Sequence, residues 1–232
     1  MIELRASAAL LDIEGTVGSI AFVRDVLFPY ADARMDEFVA LHGSEPDVRA
    51  ALDLAAREAG VAALDIRGIL AALHQWSADD VKTTPLKTIQ GMIWRNGFES
   101  GAIVGHLYPD AVDALRRYRS NGVLLAIYSS GSVAAQRLLF GHSVAGNLLS
   151  MFASFYDTTT GPKLEPMSYT RIAKALGYAP VNVAFFSDNA RELDAARDAG
   201  MQTVHVVRAE DGTKPDPRHP IVATFADVDV RP

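Results

Sequence analysis

The 232-residue sequence contains no cysteine. Disulfides, thiolate catalysis and cysteine-ligated zinc are therefore excluded. There is no excess of basic charge: 22 Lys and Arg stand against 28 Asp and Glu, a net charge of −6. That balance argues against a nucleic-acid partner, because a phosphate backbone requires clustered Lys and Arg. A small phosphate ester needs only one or two placed cations and a metal, and stays compatible. No apolar run reaches the roughly 18 residues that a membrane-crossing helix requires, so no membrane partner is expected. The opening residues Met1-Ile2-Glu3-Leu4-Arg5 do not read as a signal peptide. The six histidines include no two spaced four apart as helical metal ligands. His142 follows a serine-rich loop; His42, His74, His106, His205 and His219 read as surface or packing residues. The expectation is a soluble cytoplasmic protein.

What is present is apolar and patterned. Hydrophobic residues make up 49% of the chain, enough to bury a sizeable core. After a short apolar run, Ala8-Ala9-Leu10-Leu11, residues 21–72 show helical spacing, and further helices are expected over 69–76 and 86–94. The stretch 77–85 between them is polar and ends at Pro85, a good first helical residue. Asp79-Asp80 reads there as capping and dipole complementation for the helix that follows. Residues 20–98 form one helical insert in this reading, flanked by a core of residues 1–19 and 99–232. From residue 110 onward strands and helices alternate. Strands are expected at 123–128, 151–156, 181–186 and 202–207, and helices at 110–121, 133–140, 166–176 and 190–199. Gly122, Gly177 and Gly200 close three of these helices. Residues 209–220, rich in Pro, Gly and charge, read as loop. Such repeating β-α units imply a parallel sheet covered by helices on both faces.

The chemistry gathers where strands end. Asp12-Ile13-Glu14-Gly15-Thr16 follows the first apolar strand, Ser129-Ser130-Gly131-Ser132 follows Tyr128, and Ser187-Asp188-Asn189 follows Phe186. Gly161-Pro162-Lys163 lies between the last two. In a parallel sheet these loops share one edge, the edge at which open α/β folds bind ligands. Phosphoryl transfer through an aspartyl-phosphate needs this set: a nucleophilic carboxylate, hydroxyl donors, a cation for the phosphate oxygens, and Mg²⁺ to offset charge. Asp12 could not approach a phosphate dianion without Lys163 and the metal. Taken singly, each motif is also explained by turns and helix caps; together, in this order, they point to an enzyme. A binding module on a decayed enzyme fold would have lost Asp12, Lys163 or Asp188, and all three are present.

These motifs resemble the haloacid dehalogenase superfamily of phosphohydrolases. Glu14 stands where most of its phosphatases carry Asp. With Asp12-Ile13-Glu14-Gly15-Thr16, Phe28-Pro29-Tyr30-Ala31, Lys82 to Lys87, Gln90 to Trp94, Tyr128 to Ser132, Leu139 to Ser143 and Phe186-Ser187-Asp188, the chain resembles the enolase-phosphatase family. The resemblance implies a Rossmann-like core with a parallel sheet and a helical cap inserted after the first strand. It implies Mg²⁺-dependent conversion of 2,3-diketo-5-methylthiopentyl-1-phosphate to the acireductone in methionine salvage, by a monomer. By position, Asp12 would be nucleophile and metal ligand. Glu14 would offer its carbonyl to the metal and its carboxyl as acid and base. Ser129, Ser130 and Lys163 would bind substrate oxygens, with Lys163 also catalytic, and Asp188 would complete the metal ligands. Glu192, four residues after Asp188, could support the metal shell. The base for enolisation stays open between Glu14 and Lys163. A cap would exclude water and select the substrate's side chain, with Lys82, Lys87, Gln90 and Trp94 as candidates. The alternative is a general small-molecule phosphatase of the same superfamily, which would not enolise.

Overall fold

The computed structural model describes all 232 residues. The chain divides into two compact units, Met1–Phe22 with Val104–Pro232, and Val23–Ile103. In chain order the strands are β1 (Ile2–Arg5), β2 (Ala8–Leu11), β3 (Leu124–Tyr128), β4 (Phe152–Tyr156), β5 (Val183–Ser187), β6 (Gln202–Val206), β7 (Ile221–Val222) and β8 (Val228–Arg231). The helices are α1 (Ile20–Phe22), α2 (Phe28–Asp32), α3 (Met35–His42), α4 (Pro46–Ala59), α5 (Ile66–Ala78), α6 (Thr84–Glu99), α7 (Pro109–Ser120), α8 (Val133–Gly141), α9 (Pro166–Leu176) and α10 (Ala190–Asp198).

In the first unit six strands form a sheet in the order β4-β3-β2-β5-β6-β7, every neighbouring pair parallel. This is the α/β fold expected from the alternating pattern. β2 is central because it is apolar throughout and must be covered on both faces. Its side chains alternate accordingly. Ala9 and Leu11 join Leu125, Ile127, Ala184 and Phe186 in a core completed by α7, while Ala8 and Leu10 join Ala126, Tyr128, Val183 and Phe185 against α9 and α10. Leu11 is in register with Ile127 on one side and Phe186 on the other, so β3 and β5 each run one residue past β2 at the same edge. Here the connections run to opposite sides of β2, the switch point at which such sheets open a crevice.

The structure differs from the sequence reading at several ends. β4 and β5 each start later than expected, after the 3-10 turns Leu149–Met151 and Pro180–Asn182. Pro180 opens the second turn and fixes its φ at a helical value. β1 and β8 pair in parallel as a separate two-stranded ribbon, which the sequence reading lacked.

The second unit is helical. Its core unites Met35, Phe38, Leu52, Ile69, Leu73, Ile89 and Ile93. Thr83 caps α6, accepting the Leu86 N–H, with Pro85 in the first turn. Asp79 instead sits at the C-terminal end of α5, where it accepts from Gln75 at 2.8 Å, and Asp80 takes a positive φ of 52°. The pair therefore terminates one helix and does not cap the next. Trp94 donates Nε1–H to the Leu27 carbonyl at 2.8 Å and packs on Phe28. Gln90 is buried, Lys87 is exposed, and Lys82 lies 3.9 Å from Asp80.

Candidate active site

The β-ladder extends one residue past β2: the Asp12 N–H donates to the Phe186 carbonyl at 2.9 Å. That bond places the Asp12 carboxylate at the sheet edge, 4% exposed. Lys163 Nζ donates to Asp12 Oδ1 at 2.6 Å, linking residues 151 apart in sequence. The same ammonium pairs with Glu192 Oε2 at 2.6 Å. Two tyrosine hydroxyls hold the lysine's loop. Tyr128 donates to the Gly161 carbonyl at 2.8 Å and Tyr169 to the Lys163 carbonyl at 2.7 Å. Gly161 is required there, since its φ is 150° and an added Cβ would collide with Ser168.

The second acid of the motif faces the serine loop. Ser129 Oγ donates to Glu14 Oε2 at 3.1 Å and accepts the Gly131 N–H at 3.1 Å. Gln136, buried on α8, clamps this loop by donating to the carbonyls of Gly131 and Tyr156 at 2.7 and 2.9 Å. Asp157 accepts the Val133 N–H at 3.0 Å, fixing the start of α8. Ser129 is buried, whereas Ser130 is exposed beside it.

Asp188 follows β5 and packs on the motif loop. A Cβ on Gly15, whose φ is 73°, would lie 2.5 Å from Asp188 Oδ2. Only glycine permits this approach. The adjacent strand supplies a support: His205 Nε2 lies 2.9 Å from the Asp188 carbonyl, and Nδ1 accepts the Asp216 N–H at 3.3 Å. That acceptor leaves Nε2 as the protonated nitrogen and donor.

Charge in this cluster is unbalanced, with Asp12, Glu14, Asp188 and Glu192 sharing Lys163. Burial and then the charge of Asp12 push Asp188 up to about 7. Burial and Asp12 likewise push Glu192 up to about 7, against the pull of Lys163. Glu14 is raised by burial and by Asp12. Burial alone would lower Lys163, but Asp12 and Glu192 outweigh it and hold the ammonium above its ordinary range.

A cation fits this donor set. The carboxylates carry a net negative excess, and no hydrogen bond to Asp188 offsets its burial. No main-chain hydrogen bond ends on the Glu14 carbonyl. No three acidic or histidine side chains alone form a metal cage, so a main-chain oxygen would have to complete one.

The structure thus brings together Asp12, Glu14, Ser129 and Lys163, with Asp188 against Gly15. Glu192 is engaged by Lys163 and by Ser187, whose Oγ lies 3.1 Å from Oε2. Sequence reasoning missed His205 and Gln136, which carry no motif of their own.

Comparison with known proteins narrows the chemistry. The family of haloacid dehalogenase-like hydrolases matches residues 6–200. Enolase-phosphatase E1 of Pseudomonas aeruginosa (strain LESB58) is 50% identical over 221 residues, 95% of this chain and 97% of that protein. Enolase-phosphatase E1 of Azotobacter vinelandii is 47% identical over 222 residues, 96% of each. Among solved structures, the UTR4 protein of Saccharomyces cerevisiae superposes with a TM-score of 0.80 at 34% identity, covering 96% of this chain and 100% of that one.

Proposed function

Because the chain belongs to the enolase-phosphatase family of haloacid dehalogenase-like hydrolases, we propose that it converts 2,3-diketo-5-methylthiopentyl-1-phosphate to the acireductone and phosphate, in methionine salvage. The observation that carries this reading is the buried Asp12–Lys163–Glu192 line beside a Glu14 that burial keeps easy to protonate. We extend it to a monomer in the cytoplasm acting on a free small-molecule ester.

Lys163 cannot serve as the base for enolisation while two carboxylates hold its proton. Glu14 therefore takes the carbon-bound proton in its ionised form, which its raised pKa makes a better base than an ordinary carboxylate. The electron pair of the broken C–H bond moves onto the neighbouring carbonyl oxygen as an enolate, while Glu14 keeps the proton. In the second half, Asp12 attacks phosphorus through Oδ2, since Oδ1 is engaged by Lys163. The bond to the enediol oxygen breaks, and protonated Glu14 supplies the proton that this oxygen needs. Glu14 then takes a proton from the water that attacks the aspartyl-phosphate, releasing phosphate and restoring Asp12; the enolate oxygen takes its proton from solvent and Glu14 returns its own there, which gives the neutral acireductone and the ionised base again. Ser129 holds the Glu14 carboxyl toward this path.

Hydrolases of this family generally use a divalent metal. We assign it as Mg²⁺, held by the carboxylates of Asp12 and Asp188 and the carbonyl of Glu14. When bound, it neutralises the phosphate dianion against the acidic cluster.

The test is anaerobic incubation with Mg²⁺ and the diketo phosphate ester, following enediol absorbance and phosphate together. Both signals should appear, disappear with chelator, and lose their phosphate component in Asp12→Asn. Phosphate without enediol would leave a general phosphatase and remove the family-specific reaction.

A further inference from the structure

Asp211 lies in the 3-10 turn Ala209–Asp211 beyond β6, in the stretch that composition marks as plain loop. Every hydrogen bond of its side chain leaves that loop. Oδ1 accepts the Ser19 Oγ–H and the Ile20 N–H, both at 3.0 Å. Oδ2 accepts the Tyr108 hydroxyl at 2.5 Å. Ser19 Oγ in turn accepts the Ala21 N–H at 3.0 Å. Beside it, the buried Arg208 donates to the Thr16 carbonyl at 3.3 and 3.2 Å and pairs with Asp110 at 3.0 Å. The Arg208 guanidinium also sits 4.2 Å from the Tyr108 ring centre. Tyr108 adds its N–H to the Val17 carbonyl at 2.9 Å.

The gripped residues, 16, 17, 19 and 20, continue the Asp12 loop without a break. Gly15 N–H donates to the Gly18 carbonyl at 2.8 Å, bridging Glu14 to Gly18. A displacement at Ser19 and Ile20 therefore reaches Gly18 first, then Gly15, which touches Asp188, and the Glu14 main chain.

We propose that Asp211 is a positioning residue for the reaction. By holding Ser19 and Ile20 on one carboxylate oxygen, it sets the register of the loop that presents Glu14 and Gly15. The inference rests on the roles given to Glu14 and Asp188 above. It needs an acceptor oxygen at this point and does not need the negative charge. An amide at 211 keeps an acceptor for Ser19 and Ile20, and the Tyr108 hydroxyl can turn to accept from the amide NH₂.

The test compares Asp211→Ala, Asp211→Asn and Ser19→Ala in the full chain, well below the unfolding midpoint. In Asp211→Ala, kcat should fall roughly tenfold or more with little change in KM, as expected for sub-ångström misplacement of a reacting group. The Mg²⁺ concentration that half-saturates the thermal shift should rise about tenfold, the scale seen when a ligand loses its support. Asp211→Asn should retain most of both properties, and Ser19→Ala should fall between. A purely structural role would lower the midpoint and leave kcat and the Mg²⁺ response intact, which overturns the proposal. Asp211→Asn as impaired as Asp211→Ala would overturn it too, by making charge the operative feature. If Asp211→Ala does not fold, an unaltered Ser19→Ala decides against it. Should the wild type release phosphate from p-nitrophenyl phosphate but form no enediol, the enolase reading fails. The Asp211 comparison is then made on that ester and stands or falls separately.

Discussion

Replacing Lys163 by Met tests whether the buried line of charge is as dry as it looks. The lysine is 9% exposed, and each of its carboxylate partners lies 2.6 Å from Nζ. Methionine fills a similar volume but carries no charge, so at pH 9, above the value of about 7 to which burial and Asp12 push Glu192, the charges of Asp12 and Glu192 are left facing each other across an apolar side chain. Oxygens that each lie 2.6 Å from one nitrogen are at most about 5 Å apart, and at an effective dielectric of about 20 their repulsion is at least about 3 kcal/mol. Breaking a buried pair from one side costs about 3–5 kcal/mol by mutation, the same range. Against a total stability of about 5–15 kcal/mol, that loss is large enough to read directly from urea unfolding without added metal. The decisive arm is the double variant Lys163→Met with Glu192→Gln. Removing the second charge should recover about 1–3 kcal/mol, as a coupling between touching sites. Phosphate release should stay lost in both, since Asp12 lacks its cation. A single variant that loses less than about 1 kcal/mol would refute the reasoning, because water would then be screening the carboxylates.

Three further outcomes follow from separate features. Gly15→Ala forces a Cβ to within 2.5 Å of Asp188 Oδ2 at a φ of 73°; about 1–3 kcal/mol of stability should go, and phosphate release should fall at least about tenfold. Burial lowers the His74 pKa, but the hydrogen bonds that its ring donates to the carboxylates of Asp32 and Asp36 outweigh it and raise the value. The stabilisation is therefore fully present below the unfolded imidazole value and lost as pH rises through the folded one. His74→Asn should lower the melting temperature at pH 6 and match the wild type at pH 8.5, and equal losses at both would contradict the assignment. Burial would raise Asp110, but Arg208, the Phe225 N–H and Thr224 hold it below its ordinary value. Its contribution is present above the unfolded carboxylate value and disappears as pH falls through the folded one. Asp110→Asn should therefore destabilise at pH 7 by about 1–3 kcal/mol and much less near pH 3, read by urea unfolding at each pH.

How much of this was legible beforehand depends on what each residue answers to. Asp12 and Asp188 stand at strand ends and Lys163 in the loop that follows β4, where chemistry demands particular residue types, and the alternating β-α pattern already says that those loops share an edge. Glu192 shows where this reasoning stops. Four residues after Asp188, it looks like a partner on the same helix face, but α10 begins only at Ala190 after the cap Asn189, so Asp188 lies outside the helix. Helical spacing therefore does not relate the two acids, and Glu192 turns to Lys163 instead. His205 supports Asp188 because β6 lies beside β5 with Ser187 opposite His205, and strand order is not written in any local pattern. β1 and β8 carry the same lesson: Ile2 pairs with Val228, a contact between the chain's two ends that neither four-residue segment announces. Asp211 is the strongest case. Its neighbours Glu210, Gly212 and Pro215 describe a turn and nothing more. Its grip on Ser19 and Ile20 exists only once the sheet has closed. Residues that meet substrate are read from their chemistry, while residues that hold them in place are read from adjacency, and adjacency is a property of the fold.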